Sequence, residues 1–73
     1  MTLKEFTQAL YKELVFYGFT SKDFPSSGQL ELIYRYTKGD IGEAYGVCCD
    51  ISAGYSVEEA LGLDNNYLVS QYR

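Results

Sequence analysis

The 73-residue chain contains no histidine and no tryptophan, and its only two cysteines, Cys48 and Cys49, are adjacent. Protein metal sites usually need three or four converging ligands from well-spaced cysteines and histidines, which this chain lacks. The absence of histidine also removes the usual base of nucleophilic catalysis, so any catalysis would rest on surface carboxylates alone. We therefore expect no metal, no cofactor and no enzymatic activity.

The adjacent cysteines do not form a disulfide framework. On a helix, the side chains of neighbouring residues diverge by about 100°, so a bond between Cys48 and Cys49 would require a non-helical backbone. The next residue is Asp50, whose negative charge would raise the thiol pKa and disfavour a reactive thiolate. We interpret the pair as small buried hydrophobic residues in a protein of the reducing cytoplasm.

Long apolar runs are missing too. No segment approaches the roughly 18 apolar residues of a membrane span. The first ten residues are amphipathic and mixed in charge, unlike a signal peptide, in which a basic segment precedes an apolar one. These features predict a soluble, cytoplasmic protein that does not associate with membranes.

Basic residues are scarce in the second half of the chain. Residues 1–38 carry five basic and four acidic side chains, a balance of +1, whereas residues 39–73 carry one basic and six acidic side chains, a balance of −5. Such a negative field repels nucleic-acid phosphates and favours cationic partners. We expect a protein partner with a basic surface and no direct binding of nucleic acid.

Signals for helix starts and ends are frequent. A hydroxyl residue followed three positions later by Glu or Gln is typical of a capping box, and an acidic residue can cap similarly. Glycine favours the left-handed conformation that ends a helix. The expected starts are Thr2, Ser26, Asp40, Ser56 and Asp64, and the expected stops are Gly18, Gly39, Gly54 and Gly62. They predict an all-α fold: one helical domain over 1–73, a compact small bundle of four to five short helices.

One segment supports a second interpretation. Residues 30–36, LELIYRY, are rich in strand formers and alternate in polarity as well as following helical periodicity. The alternative fold is therefore α+β, with strands near 29–37 and 44–52.

The bundle is expected to form around a central helix at 41–53. This segment is apolar or small nearly all round, which is typical of a buried helix. Its only charged residues, Glu43 and Asp50, lie seven positions apart and share one narrow wedge that reaches solvent. Gly42 and Gly46 form a notch of small residues, which either packs closely against a neighbouring helix of the domain or receives a side chain of a partner.

The corner at 54–56 has the proportions of a helix-turn-helix. Its second helix would present Glu58 and Glu59 to the DNA major groove, so DNA binding through this element is not expected.

We interpret the protein as a small acidic, non-catalytic protein–protein interaction module, an adaptor or regulator that binds a basic partner surface. Its tyrosines, Tyr36 among them, exceed what so small a core readily buries, and tyrosine is favoured at interfaces. The expected partner-binding residues are Glu43, Asp50, Tyr55, Glu58, Glu59, Asp64 and Tyr67. Two alternatives remain: an acidic decoy that occupies the nucleic-acid groove of a DNA- or RNA-handling protein, and a self-associating structural subunit, a homo-oligomer held together by apolar and tyrosine surface.

Overall fold

A computed structural model describes residues 1–63 of the chain, and these residues form helices joined by short turns. The elements are α1 (Leu3–Phe16), a single 3-10 turn (Ser21–Asp23), α2 (Ser27–Thr37), α3 (Ile41–Ser52) and α4 (Val57–Ala60). No strand occurs among residues 1–63. The predicted all-α bundle is confirmed, and the α+β alternative is wrong. The helical piece expected after Asp64 lies outside the described residues.

The helices begin where the capping signals predicted. At the start of α1, the Glu5 backbone N–H donates to Thr2 Oγ1 over 3.1 Å, and the Thr2 backbone N–H donates to Glu5 Oε1 over 2.8 Å. Hydrogen bonds to the Glu5 carboxylate from the Thr2 backbone N–H and, to a smaller extent, from the Thr2 side chain lower the pKa of the Glu5 carboxyl. Equivalent reciprocal pairs start α2 and α4, and Asp40 caps α3. Each such cap stabilises its helix by about 1 kcal/mol.

Two of the helix ends show how glycine redirects the chain. Gly18 adopts φ +89° after α1, and the Phe19 N–H then donates back to the Leu14 carbonyl over 2.9 Å. Gly54 adopts φ +110° after α3, and the Tyr55 N–H donates to the Asp50 carbonyl over 3.1 Å. Both are Schellman-type ends, which satisfy carbonyls that the helix leaves unpaired.

The core is built from one stripe of each helix. α3 is the central element, because it packs against α1, α2 and α4. The buried apolar side chains are Phe6, Leu10 and Leu14 of α1, Leu30 and Ile33 of α2, Ala44, Val47 and Cys48 of α3, and Val57 of α4.

The α2 segment is helical because its core contacts recur at helical and not at strand spacing. Leu30, Ile33 and Thr37 are buried together, and the Thr37 hydroxyl donates to the Ile33 carbonyl over 2.6 Å. Strand alternation would have placed Tyr36 on the same face as Leu30, yet Tyr36 is 48% exposed.

The central helix is less buried than its composition predicted. Only Ala44, Val47 and Cys48 are buried, whereas Gly42 and Gly46 are exposed. A helix in a bundle this small can be covered on one side only, and glycines offer little apolar area to water on the other. The expectation of a helix that is buried except for one narrow charged wedge is therefore wrong, and among residues 1–63 α3 has a wider open face.

Candidate functional site

The open face of α3 forms one side of a groove with a volume of about 440 Å³. The groove lies where α2, α3 and the end of α4 meet. Its lining consists of Tyr36 and Thr37 from α2, Glu43, Gly46, Val47 and Asp50 from α3, and Ala60 and Leu61 from α4 and its C-cap.

On the α3 side of the groove, Gly46 lies between the carboxylates of Glu43 and Asp50. Glu43, Gly46 and Asp50 are separated by three and four residues, which places them on one face of the helix. Within the described part of the chain, apart from Gly46, its two chain neighbours and the nearby backbone of α3, no atom lies within 4 Å of the position that a Gly46 Cβ would take. The missing side chain therefore leaves free space between Glu43 and Asp50, which lie about 10.5 Å apart along the helix axis.

Among residues 1–63, no neighbouring helix packs against the notch of Gly42 and Gly46, which was one of the two alternatives expected for it. A Cβ on Gly42 would meet only Asp40 Oδ1, at 3.3 Å, and Gly46 has no such neighbour among residues 1–63. α1, α2 and α4 instead pack on the side of Ala44, Val47 and Cys48, where apolar area can be buried.

The remaining sides of the groove are aromatic and aliphatic. Tyr36 is half-exposed, while Ala60 and Leu61 are partly buried against the core. A lysine or arginine side chain has a matching division into an aliphatic stem and a cationic head. The groove thus combines two anions, an aromatic ring and apolar surface, which together suit a long cationic side chain.

The structure divides the predicted partner-binding residues into three groups. Glu43 and Asp50 both line the groove, which agrees with the prediction that they share one face of the helix. Tyr55, Glu58 and Glu59 are exposed but do not line it. The Glu59 carboxylate accepts a hydrogen bond from the Ser56 backbone N–H over 2.9 Å, so it serves as a helix cap. The remaining two, Asp64 and Tyr67, lie outside the described residues.

The α2 and α4 sides of the groove were missed by the sequence reasoning. Tyr36 carried a signal, because it belongs to the excess of tyrosines that favours interfaces, but nothing in its spacing links it to Gly46. Nothing in the sequence linked Ala60 and Leu61 to this groove either. Only the packing of α2 and α4 on α3 brings these residues to one place.

The corner between α3 and α4 does not develop into a DNA-reading element in the described region. α4 has four residues, little more than one turn. A helix of this length presents too few side chains to read several successive base pairs.

The two cysteines differ in environment. Cys48 is 1% exposed, which confirms the prediction of a buried hydrophobic residue, and Cys49 is half-buried. Burial, followed by the neighbouring Cys49, raises the pKa of the Cys48 thiol to about 11. Asp50, whose charge we expected to raise the thiol pKa, is not among the causes of the raised pKa of Cys48. A hydrogen bond with Cys49 also raises the pKa of the Tyr45 hydroxyl.

Residues 1–63 contain no group of three or more His, Cys, Asp or Glu side chains placed to hold a metal ion. None of the helices within the same residues has the length and apolar character needed to cross a membrane.

Comparisons with models of protein families, with curated proteins and with solved structures gave no match.

Proposed function

We propose that this protein is a small acidic, non-catalytic protein–protein interaction module, an adaptor or regulator whose groove receives a basic side chain from the surface of its partner. The observation that supports this proposal is the Gly46 gap between Glu43 and Asp50 in a groove that also contains Tyr36. The cationic head pairs with a carboxylate, and the aliphatic stem lies against Ala60 and Leu61.

The spacing of the carboxylates suggests a two-point contact. One cationic head cannot reach both Glu43 and Asp50 closely when they lie about 10.5 Å apart along the axis. Two basic residues seven positions apart on a partner helix have the same spacing and lie on one face of that helix. A partner that presents such a pair engages both ends of the groove.

The expected affinity of the groove alone is modest. A solvent-exposed ion pair contributes about 0.2–1 kcal/mol, and an exposed cation–π contact about 0.5–1 kcal/mol. The other acidic residues of the C-terminal half, the exposed Glu58 and Glu59 among them, add a negative field that accelerates association with a basic partner. Binding should therefore weaken as salt concentration rises, because salt screens this field.

Isothermal titration calorimetry with a helical peptide that carries two arginines seven positions apart tests the proposal. The double variant Glu43→Lys/Asp50→Lys should lose binding. The control Glu31→Lys/Glu58→Lys changes two exposed carboxylates outside the groove and alters the net charge by the same amount. It should lose only the part of the binding affinity that depends on the overall electrostatic field. Equal weakening in both variants would show that net charge, and not the groove, determines binding. Circular dichroism of each variant establishes that the helices remain.

A further inference from the structure

The last turn of α1 and its C-cap carry an exposed apolar patch that lies outside the groove. Val15, Phe16 and Tyr17 are 60%, 78% and 54% exposed. None of them lines the groove between α2, α3 and α4. A phenylalanine exposed to this degree, next to two further apolar side chains, marks a surface suited to burial against another molecule.

A cavity of about 600 Å³ lies beside Phe16 on the same face. It is lined by Tyr11, Lys12, Val15, Phe16 and Phe24. The Tyr11 and Phe24 rings stack with their centroids 4.7 Å apart and their planes at 25°, which gives the cavity an aromatic wall. One face of the molecule thus presents a protruding aromatic ring and, directly beside it, an apolar hollow.

We infer that this face binds a second copy of the chain. In a contact with two-fold symmetry, residue i of the first copy meets residue j of the second, and residue j of the first meets residue i of the second. A face that carries both a protruding ring and a cavity can therefore pair with an identical face, because each ring can enter the opposite cavity. Two antiparallel α1 helices related in this way bring Phe16 of each copy level with Tyr11 of the other. Each Phe16 then enters the other copy's cavity and contacts the Tyr11 and Phe24 rings. The aliphatic part of the Lys12 side chain packs at the edge of this contact, and its ammonium group stays in water.

The distribution of charge favours a second copy at this face. Each copy has a net charge of −4, so association through the acidic halves is repulsive. The patch and the cavity belong to residues 1–38, whose charges balance to +1. Two copies that meet here keep their acidic halves apart, and the grooves between α2, α3 and α4 stay open for a partner.

The area of the patch indicates a weak dimer. A fully buried aromatic side chain contributes roughly 150–250 Å². At the observed exposures, the three side chains offer roughly 350 Å² per copy, less than half of the roughly 800 Å² per partner in a stable interface. We therefore expect a dissociation constant between about 100 µM and about 1 mM.

Sedimentation equilibrium of the full chain between about 20 µM and 1 mM tests this inference. The apparent mass of the wild type should rise with concentration toward twice the 8.3 kDa of one chain. Phe16→Ser should stay at 8.3 kDa throughout. Tyr55→Ser, which removes an exposed aromatic ring away from this face, should behave as the wild type. Equal thermal melting of the three proteins confirms that Phe16→Ser has not unfolded the chain.

Two results would overturn the inference. One is a wild type that remains monomeric at 1 mM, which would assign the patch to a different occupant. The other is a Phe16→Ser variant that dimerises as strongly as the wild type. In a sample that mixes labelled and unlabelled chains, intermolecular nuclear Overhauser effects should connect Phe16 with Tyr11, and their absence in a dimeric sample would also contradict the proposed contact.

Discussion

The rings of Phe6 and Tyr34 lie 5.0 Å apart at an angle of 53°, and this contact joins the first turn of α1 to the middle of α2. The Tyr34 hydroxyl also donates a hydrogen bond to the Met1 carbonyl, so the chain that leads into α1 is held on the same side. Phe6 itself is fully buried. The N-terminal helix is therefore fixed both by its core stripe and by this aromatic pair.

Substitutions at these two positions should separate packing from hydrogen bonding. Phe6→Ala removes a fully buried ring and should lower the free energy of unfolding by about 3–5 kcal/mol. Tyr34→Phe keeps the ring and loses only the hydroxyl, so the expected cost is about 1 kcal/mol. Urea denaturation followed by circular dichroism measures both changes. A Tyr34→Phe cost as large as that of Phe6→Ala would contradict this division.

Gly46 should accept a side chain without cost to the fold, although it lies in the middle of the central helix. Its φ is not positive and its Cβ position is open within the described region, so Gly46→Ala should raise the free energy of unfolding by about 0.5–1 kcal/mol. Gly54→Ala should do the opposite, because Gly54 adopts φ +110°.

Thermal denaturation of both variants, together with Gly28→Ala, measures these effects. Gly28 is another helical glycine with no atom within 4 Å of its Cβ position, among the residues described, and it serves as the matched control. If Gly46→Ala destabilised the protein while Gly28→Ala did not, some group must already fill the groove.

The buried Cys48 thiol should make the protein sensitive to alkaline pH. Its folded pKa of about 11 lies above its ordinary value of 9.0, so the folded state favours the protonated thiol. The associated stability is fully present below pH 9.0 and is lost as the pH rises toward about 11.

Comparison with Cys48→Ala isolates this contribution, because every other titratable group is common to both proteins. The wild type should be more stable at pH 8, through better packing, and its advantage should shrink by pH 10.5. A difference in the free energy of unfolding that stays constant with pH would show that the Cys48 pKa is not raised on folding.

The positions at which the helices start and end could be predicted from the sequence, because each capping signal consists of residues that lie close together in the chain. The capping pairs at Thr2 and Ser56 and the stop at Gly54 need only three to five residues to be recognised. The wedge of Glu43 and Asp50 follows in the same way from the period of one helix. Both are confirmed by the structure.

The parts that the sequence reasoning missed depend on tertiary packing. Composition predicted that 41–53 is buried except for the wedge of Glu43 and Asp50, but within residues 1–63 the bundle covers only one side of α3 and leaves Gly46 open. Tyr17 continues the apolar stripe of α1 and still is 54% exposed, because the stripe extends past the end of the core. Which helices lie against which faces cannot be derived from the periodicity of any single segment.

The role of the groove is tested most directly by nuclear magnetic resonance titration of the ¹⁵N-labelled chain with the two-arginine helical peptide. Shifts of the amide signals should concentrate at Tyr36, Gly46 and Asp50. They should disappear in Gly46→Leu, whose side chain fills the groove, and persist in Gly28→Leu. Shifts that are spread evenly over the acidic surface, or that survive unchanged in Gly46→Leu, would contradict a binding site between α2, α3 and α4.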